Sequence, residues 1–260
     1  MDIRNAYLHA EVDEEIYMRQ PEGFMDEDRP THVCRLKKAL YGMHQAGFNW
    51  HKLIDKVLRD AGLSRSEHDA CVYSKFNGEK WMIICLYVDD LLIGGDQESQ
   101  MSMIEHLKSK FSVSAEGSVK RYLGINVTTN DDTWKLDQYD DIMDFLKEHN
   151  MESSRVTDRP GDPRMDYNEV RNGTLVNQAI YRSAVGGLLW FAIATRPDIL
   201  YAVNVVAQFQ QAPTSIAWNA VKKIMRYLSH NPRLGIEINP TNLELTVYSD
   251  VNHGDVALGD

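Results

Sequence analysis

Trp81-Met82-Ile83-Ile84-Cys85-Leu86-Tyr87-Val88-Asp89-Asp90-Leu91-Leu92-Ile93-Gly94-Gly95 is the stretch on which the reading of this chain turns. An almost continuous apolar run gives way to two adjacent aspartates, then to three aliphatic residues and a glycine pair. Such runs, bounded by turn-forming residues, predict a buried hairpin with an acidic turn. Upstream, Asn77-Gly78 is a two-residue turn signal between residues 70–76 and 81–88, which makes three strands in succession. Aspartate is common in tight turns because it tolerates left-handed backbone and bonds its own main chain, so an isolated Asp-Asp pair is more often solvated than functional. A second acidic segment changes the balance: Asp2 is followed by Ile3 and then by Ala6-Tyr7-Leu8, so two carboxylate-bearing segments are expected to meet across one sheet. Hard divalent cations such as Mg²⁺ bind oxygen ligands and keep several waters, so two or three aspartates with substrate phosphates complete their coordination.

Outward from the hairpin, Trp50, Leu53, Ile54, Val57, Leu58 and Ala61 keep helical spacing, with Gly62 where a helix would stop. A second helix is expected over residues 98–110, strands over 122–129 and 133–137, and a helix over 139–148. The order is mixed α and β without the regular alternation of a doubly wound sheet. Residues 151–178 are poor in apolar groups and contain Arg159-Pro160-Gly161-Asp162-Pro163, which marks a linker and a domain edge. Helical patterns come next over 181–194, over 197–210 with proline in the first turn, and over 214–229 with Thr214 as cap. Residues 234–238 and 243–248 are expected to pair as a terminal hairpin.

The motifs together resemble the reverse transcriptase of copia-type long-terminal-repeat retrotransposons. Met1-Asp2-Ile3-Arg4-Asn5-Ala6-Tyr7-Leu8 is similar to the family's first catalytic motif, and the segment from Glu14 to Phe24 is similar to the family's next segment. Leu36-Lys37-Lys38-Ala39-Leu40-Tyr41-Gly42-Met43 resembles the template- and nucleotide-contacting motif, Tyr87-Val88-Asp89-Asp90 the metal-binding signature, and Arg121-Tyr122-Leu123-Gly124-Ile125 the primer grip. The stretch from Tyr181 through Thr195-Arg196-Pro197-Asp198 to Arg226-Tyr227-Leu228 resembles the region joining polymerase to ribonuclease H. The resemblance implies an α+β fold: a reverse-transcriptase palm with partial fingers over 1–150, a linker over 151–178, a helical thumb or connection over 179–232, and a truncated ribonuclease H edge over 233–260. It implies RNA-directed DNA polymerisation with two Mg²⁺ ions held by Asp2, Asp89 and Asp90, acting on an RNA or DNA template–primer and a deoxynucleoside triphosphate, with other polyprotein products as further partners.

The same resemblance makes Tyr7 the gate that excludes a ribose 2′-hydroxyl, the group that separates RNA from DNA; without it, Tyr7 reads as a core tyrosine. Gly42 and Tyr87 would contact substrate, although Gly42 also reads as an ordinary turn glycine. Lys37, Lys38, Tyr122, Leu123 and Gly124 would contact nucleic acid. Lys120, Lys108 and Lys110 are candidates for the acid that protonates pyrophosphate, and each also reads as a solvated surface lysine. There are departures. His44 and Gly47-Phe48 stand where the family commonly has lysine and proline-arginine, and the strands that precede the first motif in the family are missing, so a frayed first strand is expected. Leu245-Thr246-Val247-Tyr248-Ser249-Asp250 resembles the opening strand of ribonuclease H, whose remaining acidic ligands would lie past Asp260, which implies no ribonuclease H activity. The alternative reading is an inactive retrotransposon remnant that at most binds nucleic acid.

Composition bounds these readings. At 260 residues the chain holds one large domain or two modest ones. Three cysteines without a C-x-x-C pair form no disulfide framework and read as small buried apolar residues of a reducing compartment. No secretory signal opens the chain, and the longest apolar stretch, 184–194, falls well short of the ~20 residues that cross a bilayer. An intracellular, cytoplasmic protein without a membrane partner is expected, with a virus-like particle or the nucleus as alternative locations. No H-E-x-x-H, G-x-S-x-G or G-x-x-x-x-G-K-[ST] motif occurs, and the nine histidines lack metal-ligand spacing. The net charge, 28 − 38 = −10, opposes nucleic-acid binding on its face. Its distribution does not: residues 1–30 carry 3 − 9 = −6, whereas residues 31–58 and 199–236 each carry +4.

Overall fold

In the computed structural model, residues 1–114, 117–130, 133–162, 167–239 and 247 are described. The chain packs as two compact units, Met1–Val119 and Lys120–Asp260.

The first unit is built round a six-stranded sheet of order β4-β5-β6-β7-β1-β8, made from β1 (Asp2–Ile3), β4 (Ser64–Arg65), β5 (Val72–Asn77), β6 (Lys80–Tyr87), β7 (Asp90–Gly95) and β8 (Val113–Ser114). Every pairing in it is antiparallel. The expected hairpin is present, with Met82 opposite Gly95 and Tyr87 opposite Asp90. It is buried on one face only. Met82, Ile84 and Leu86 are at most 4% exposed, whereas Trp81, Ile83 and Tyr87 point the other way and are 36–57% exposed. A strand's side chains alternate faces, so a continuous apolar run can still be half open. The turn before β6 is Gly78-Glu79, one residue later than expected, because Asn77 still pairs with Lys80. β1 is not frayed: it lies between β7 and β8, and Ile3 is fully buried.

One face of the sheet is covered by two helices. α2 (Ala46–Asp60) starts earlier than its apolar spacing suggests and buries Trp50, Ile54, Val57 and Leu58; α3 (Gln97–Lys110) buries Met103 and Leu107. The Asp96 carboxylate caps α3 by accepting from Ser99 N at 2.9 Å, which satisfies an otherwise orphaned helical donor. A four-residue helix, α1 (Ala6–His9), comes after β1, and a separate two-stranded sheet joins β2 (Tyr17–Arg19) to β3 (Val33–Arg35). Cys34 in β3 and Cys71 are exposed and Cys85 is half-buried, against the expectation of three buried thiols. In β3 the reason is local, since all three of its residues are exposed.

The second unit combines a four-stranded antiparallel sheet with a helical core. β9 (Arg121–Tyr122), β10 (Ile125–Asn130), β11 (Thr133–Asp137) and β12 (Ile236–Ile238) form the sheet in the order β12-β11-β10-β9. The strand expected over 122–129 is in fact a hairpin, because Leu123 and Gly124 turn the chain at φ +48° and +80°. α4 (Tyr139–Glu148), α5 (Tyr167–Arg171), α6 (Gln178–Ala194), α7 (Leu200–Ala207) and α8 (Ser215–His230) supply the helices, with a 3-10 turn at Pro197–Ile199 before α7. Two expectations change here. The domain edge placed at 151–178 falls inside this unit, because Ile142, Leu146, Met151 and Val170 share one core with Tyr181, Leu188, Val203 and Leu228. The expected terminal hairpin has its first strand in β12, which pairs with β11 through Trp134–Ile238 and Leu136–Ile236; its second strand, and the ribonuclease H-like segment apart from Val247, lie outside the described residues.

Polar groups lock the ends of these helices. Thr214 accepts from Ala217 N and donates to Val170 O at 2.6 Å. Arg196 is fully buried: its Nε and Nη2 grip Asp198, its Nη1 donates to Asn231 O, and its guanidinium lies over the Tyr227 ring.

Candidate active site

The site is assembled by pairing, since neither carboxylate segment forms it alone. In β1, Asp2 stands opposite Asp90 of β7 on one side and Ser114 of β8 on the other. Backbone bonds fix that register: Ile3 N donates to Asp89 O and Leu91 N to Met1 O, both at 2.8 Å. The Ser114 hydroxyl donates to the Asp2 carboxylate at 3.5 Å. Asp2, Asp89 and Asp90 are all half-buried. Burial, then the negative charges of Asp89 and Asp2, holds the Asp90 carboxyl above the usual carboxylate range, with the Met1 amine acting the other way.

The turn itself differs from the expected Asp-Asp tip. Val88 and Asp89 are the turn residues, and Asp90 is the first residue of β7. Val88 has φ +54°, a left-handed conformation that costs a β-branched residue about 1–3 kcal/mol. Trp50, 2% exposed on α2, donates its indole N–H to Val88 O at 2.6 Å.

Tyr7 is half-buried on α1, reached through Asn5 at φ +56°, a conformation asparagine tolerates better than most residues. Its ring meets that of Tyr41 at a centroid distance of 4.5 Å. Tyr41 is 54% exposed, and its phenol is pushed upward by burial, then by the charge of Asp89 and by Tyr7, so Tyr41 belongs to the same cluster. Gly42 comes next at φ +92°, and a Cβ there would meet nothing within 4 Å, so backbone conformation rather than crowding calls for glycine. Tyr87 is 57% exposed on the open face of β6, directly before the turn.

Of the expected nucleic-acid contacts, Lys37 is exposed, while Lys38 donates to His9 O at 3.0 Å and lies 3.7 Å from Glu11. Lys108 and Lys110 are exposed at the end of α3. Tyr122, Leu123, Gly124 and the exposed Lys120 belong to the second unit, where Arg121 bonds Asp141 beside the turn. Within its basic block, Lys223 lies 3.7 Å from Asp162, Lys222 sits over Trp218, and Arg233 sits over Tyr139. Among the described residues no group of three or more His, Cys, Asp or Glu side chains converges to hold a metal ion. No helix among them is long and apolar enough to cross a membrane.

Sequence reasoning missed Tyr41 and Trp50 as members of the site. Tyr41 lies inside a quoted motif but carries no charge to single it out, and the spacing of Trp50 reports only that it faces a core.

A family model described as reverse transcriptase (RNA-dependent DNA polymerase) matches residues 1–161, and the chain belongs to that family. Its relatives include Pol polyproteins of copia-type transposons. The chain is 35% identical over 254 residues to the retrovirus-related Pol polyprotein from transposon RE1 of Arabidopsis thaliana, covering 97% of this chain and 17% of that protein. It is 34% identical over 239 residues to the corresponding polyprotein from transposon TNT 1-94 of Nicotiana tabacum, covering 88% and 18%. The putative transposon Ty5-1 protein YCL074W of Saccharomyces cerevisiae is 30% identical over 261 residues, covering 98% and 84%. The chain thus spans under a fifth of the length of the plant relatives. No solved structure matches it.

Proposed function

We propose that this chain is the polymerising portion of an RNA-directed DNA polymerase, with the six-stranded sheet as its palm and the helices of the second unit as its thumb or connection. The observation that carries the reading is the pairing of Asp2 with Asp90 beside Asp89, three carboxylates from two distant segments of sequence on adjoining backbone. Their oxygen-only donor set fits a hard divalent cation, and Mg²⁺ completes its shell with water and substrate phosphate, so it does not require three converging protein ligands. Two Mg²⁺ ions held by Asp2, Asp89 and Asp90 would lower the pKa of the primer 3′-hydroxyl and neutralise the leaving pyrophosphate. The bond that forms joins the 3′-oxygen to the α-phosphorus of a deoxynucleoside triphosphate. The bond that breaks is the one to the β-phosphate bridging oxygen, and the hydroxyl proton passes to solvent.

The remaining residues bind and orient. Tyr7, backed by Tyr41, limits the space for a 2′-hydroxyl; Gly42 leaves open room for a nucleotide or template beside the backbone; Tyr87 and Lys37 face solvent where primer and template phosphates would lie. Tyr122, Leu123 and Gly124 would grip the primer. The +4 blocks at 31–58 and 199–236 support salt-sensitive nucleic-acid binding in spite of the net −10. Lys38, Lys222, Lys223 and Arg233 already have contacts within the chain, so fewer phosphate contacts are expected than the charge count suggests. The polyprotein relatives support an origin within a longer Pol product.

The test is extension of an oligo(dT) primer on poly(rA) with Mg²⁺, comparing the chain with Asp89→Asn. Extension by the chain and at least a 100-fold loss in the variant are expected. Two equally inert preparations would remove the activity and leave a family member that at most binds nucleic acid.

A further inference from the structure

We infer that Trp50 is a positioning residue for Asp89, acting through the hydrogen bond from its indole N–H to the carbonyl of Val88. This rests on the reading of Asp89 as part of the polymerase site. Asp89 lies between two peptide planes, and each is clamped from a different element. The Val88–Asp89 peptide presents its oxygen to Trp50 Nε1 at 2.6 Å, and the Asp89–Asp90 peptide presents its oxygen to Ile3 N at 2.8 Å. With both planes fixed, the direction of the Asp89 Cα–Cβ bond, from which the carboxylate projects, is fixed too, and it is set relative to Asp2, the neighbour of Ile3.

The first clamp opposes a backbone preference. Valine at φ +54° relaxes towards negative φ unless something holds it, and that relaxation rotates the peptide that carries Asp89. The donor is suited to holding it. Trp50 is 2% exposed, its ring meets Phe111 edge-on at 5.4 Å, and its N–H has a partner, as a buried indole donor requires. Phenylalanine at this position keeps an aromatic ring in the core and removes only the donor and part of the ring.

The experiment compares Trp50→Phe, Val88→Gly and the double variant on two readouts. In single-turnover extension with deoxythymidine triphosphate, Trp50→Phe is expected to lower the maximal rate at least 10-fold with KM changed less than about 2-fold. Adding Val88→Gly is expected to recover much of the loss, because glycine adopts positive φ without strain. Amide exchange on the free protein supplies the readout that needs no activity: in Trp50→Phe the protection of Ile3 N–H falls, while that of the β5–β6 ladder stays. An unchanged rate, or a loss that glycine at 88 fails to recover, overturns the inference. In a chain that extends no primer, loss of Ile3 protection still upholds the clamp while the polymerase reading fails, and unchanged protection overturns the clamp as well.

Discussion

At Asp90 the proposed function and the stability of the fold pull in opposite directions within a single side chain. It is half-buried beside Asp2 and Asp89, and burial and like charge together hold its carboxyl above the ordinary range. Removing the charge while keeping the shape relieves that repulsion. Asp90→Asn is therefore expected to raise thermal stability at neutral pH by up to about 1 kcal/mol, the scale of partly solvated charge interactions. A melting temperature equal to or below that of the unsubstituted chain would show that the carboxylates do not repel one another. The adjacency of these carboxylates was legible in part: Asp89 and Asp90 stand out because carboxylates are rare within apolar runs, and Asp2 was expected to meet them across one sheet, as its pairing with Asp90 shows. Trp50 and Tyr41 were not, since a tryptophan at helical spacing looks the same whether it only fills space or also bonds the Val88 carbonyl, and a tyrosine in a loop looks the same whether or not it meets the Tyr7 ring. The left-handed backbone of Val88 carries no signal at all in a residue type that favours strands.

At the scale of elements, local pattern was enough to expect the hairpin of β6 and β7, from its apolar run and turn residues, and the helices α2 to α4 and the capped helix α8, of which α2, α4 and α8 have a pronounced apolar face. It failed where elements are short or where pairing is long-range. A two-residue β1 has no period to detect, and the attachment of β12 to β11 joins residues a hundred positions apart. α6 offers a test of how its packing is specified. Gly186 faces open space, whereas a Cβ at Gly187 would lie 2.6 Å from Phe145 Cε2. Phe145 has little room to give, since its ring also meets Phe191 and His149 edge-on. Gly186→Ala is expected to stabilise the protein by about 0.5–1 kcal/mol through helix propensity alone. Gly187→Ala is expected to destabilise it by about 1–3 kcal/mol through overpacking. Urea unfolding of the two variants side by side checks both signs, and equal midpoints would contradict the close approach of α4 to α6.

For the molecule as a whole, the sequence marked a domain edge where apolar residues thin out, but the core of the second unit reaches across that region through Met151 and Val170. Local composition cannot report which distant core a few apolar residues join. That core also makes stability depend on pH. His149 packs between Phe145 and Trp218, and burial, partly opposed by Glu148, holds its imidazole below the ordinary 6.5. The unfolded chain then takes up this proton at a higher pH than the folded one, so the contribution of His149 is complete above pH 6.5 and is lost as the pH falls through the folded value. His149→Phe is expected to reduce the loss of stability between pH 7.5 and pH 5, read from urea midpoints, and an unchanged pH dependence would contradict this. The central claim is that β1 and the β6–β7 turn form one catalytic centre, and Asp2 tests it most directly because it lies far from Asp89 and Asp90 in sequence. In a single-nucleotide extension assay with an RNA template and Mg²⁺, Asp2→Asn is expected to lose activity as completely as Asp89→Asn while still binding template–primer; extension by Asp2→Asn at the rate of the unsubstituted chain would contradict the account.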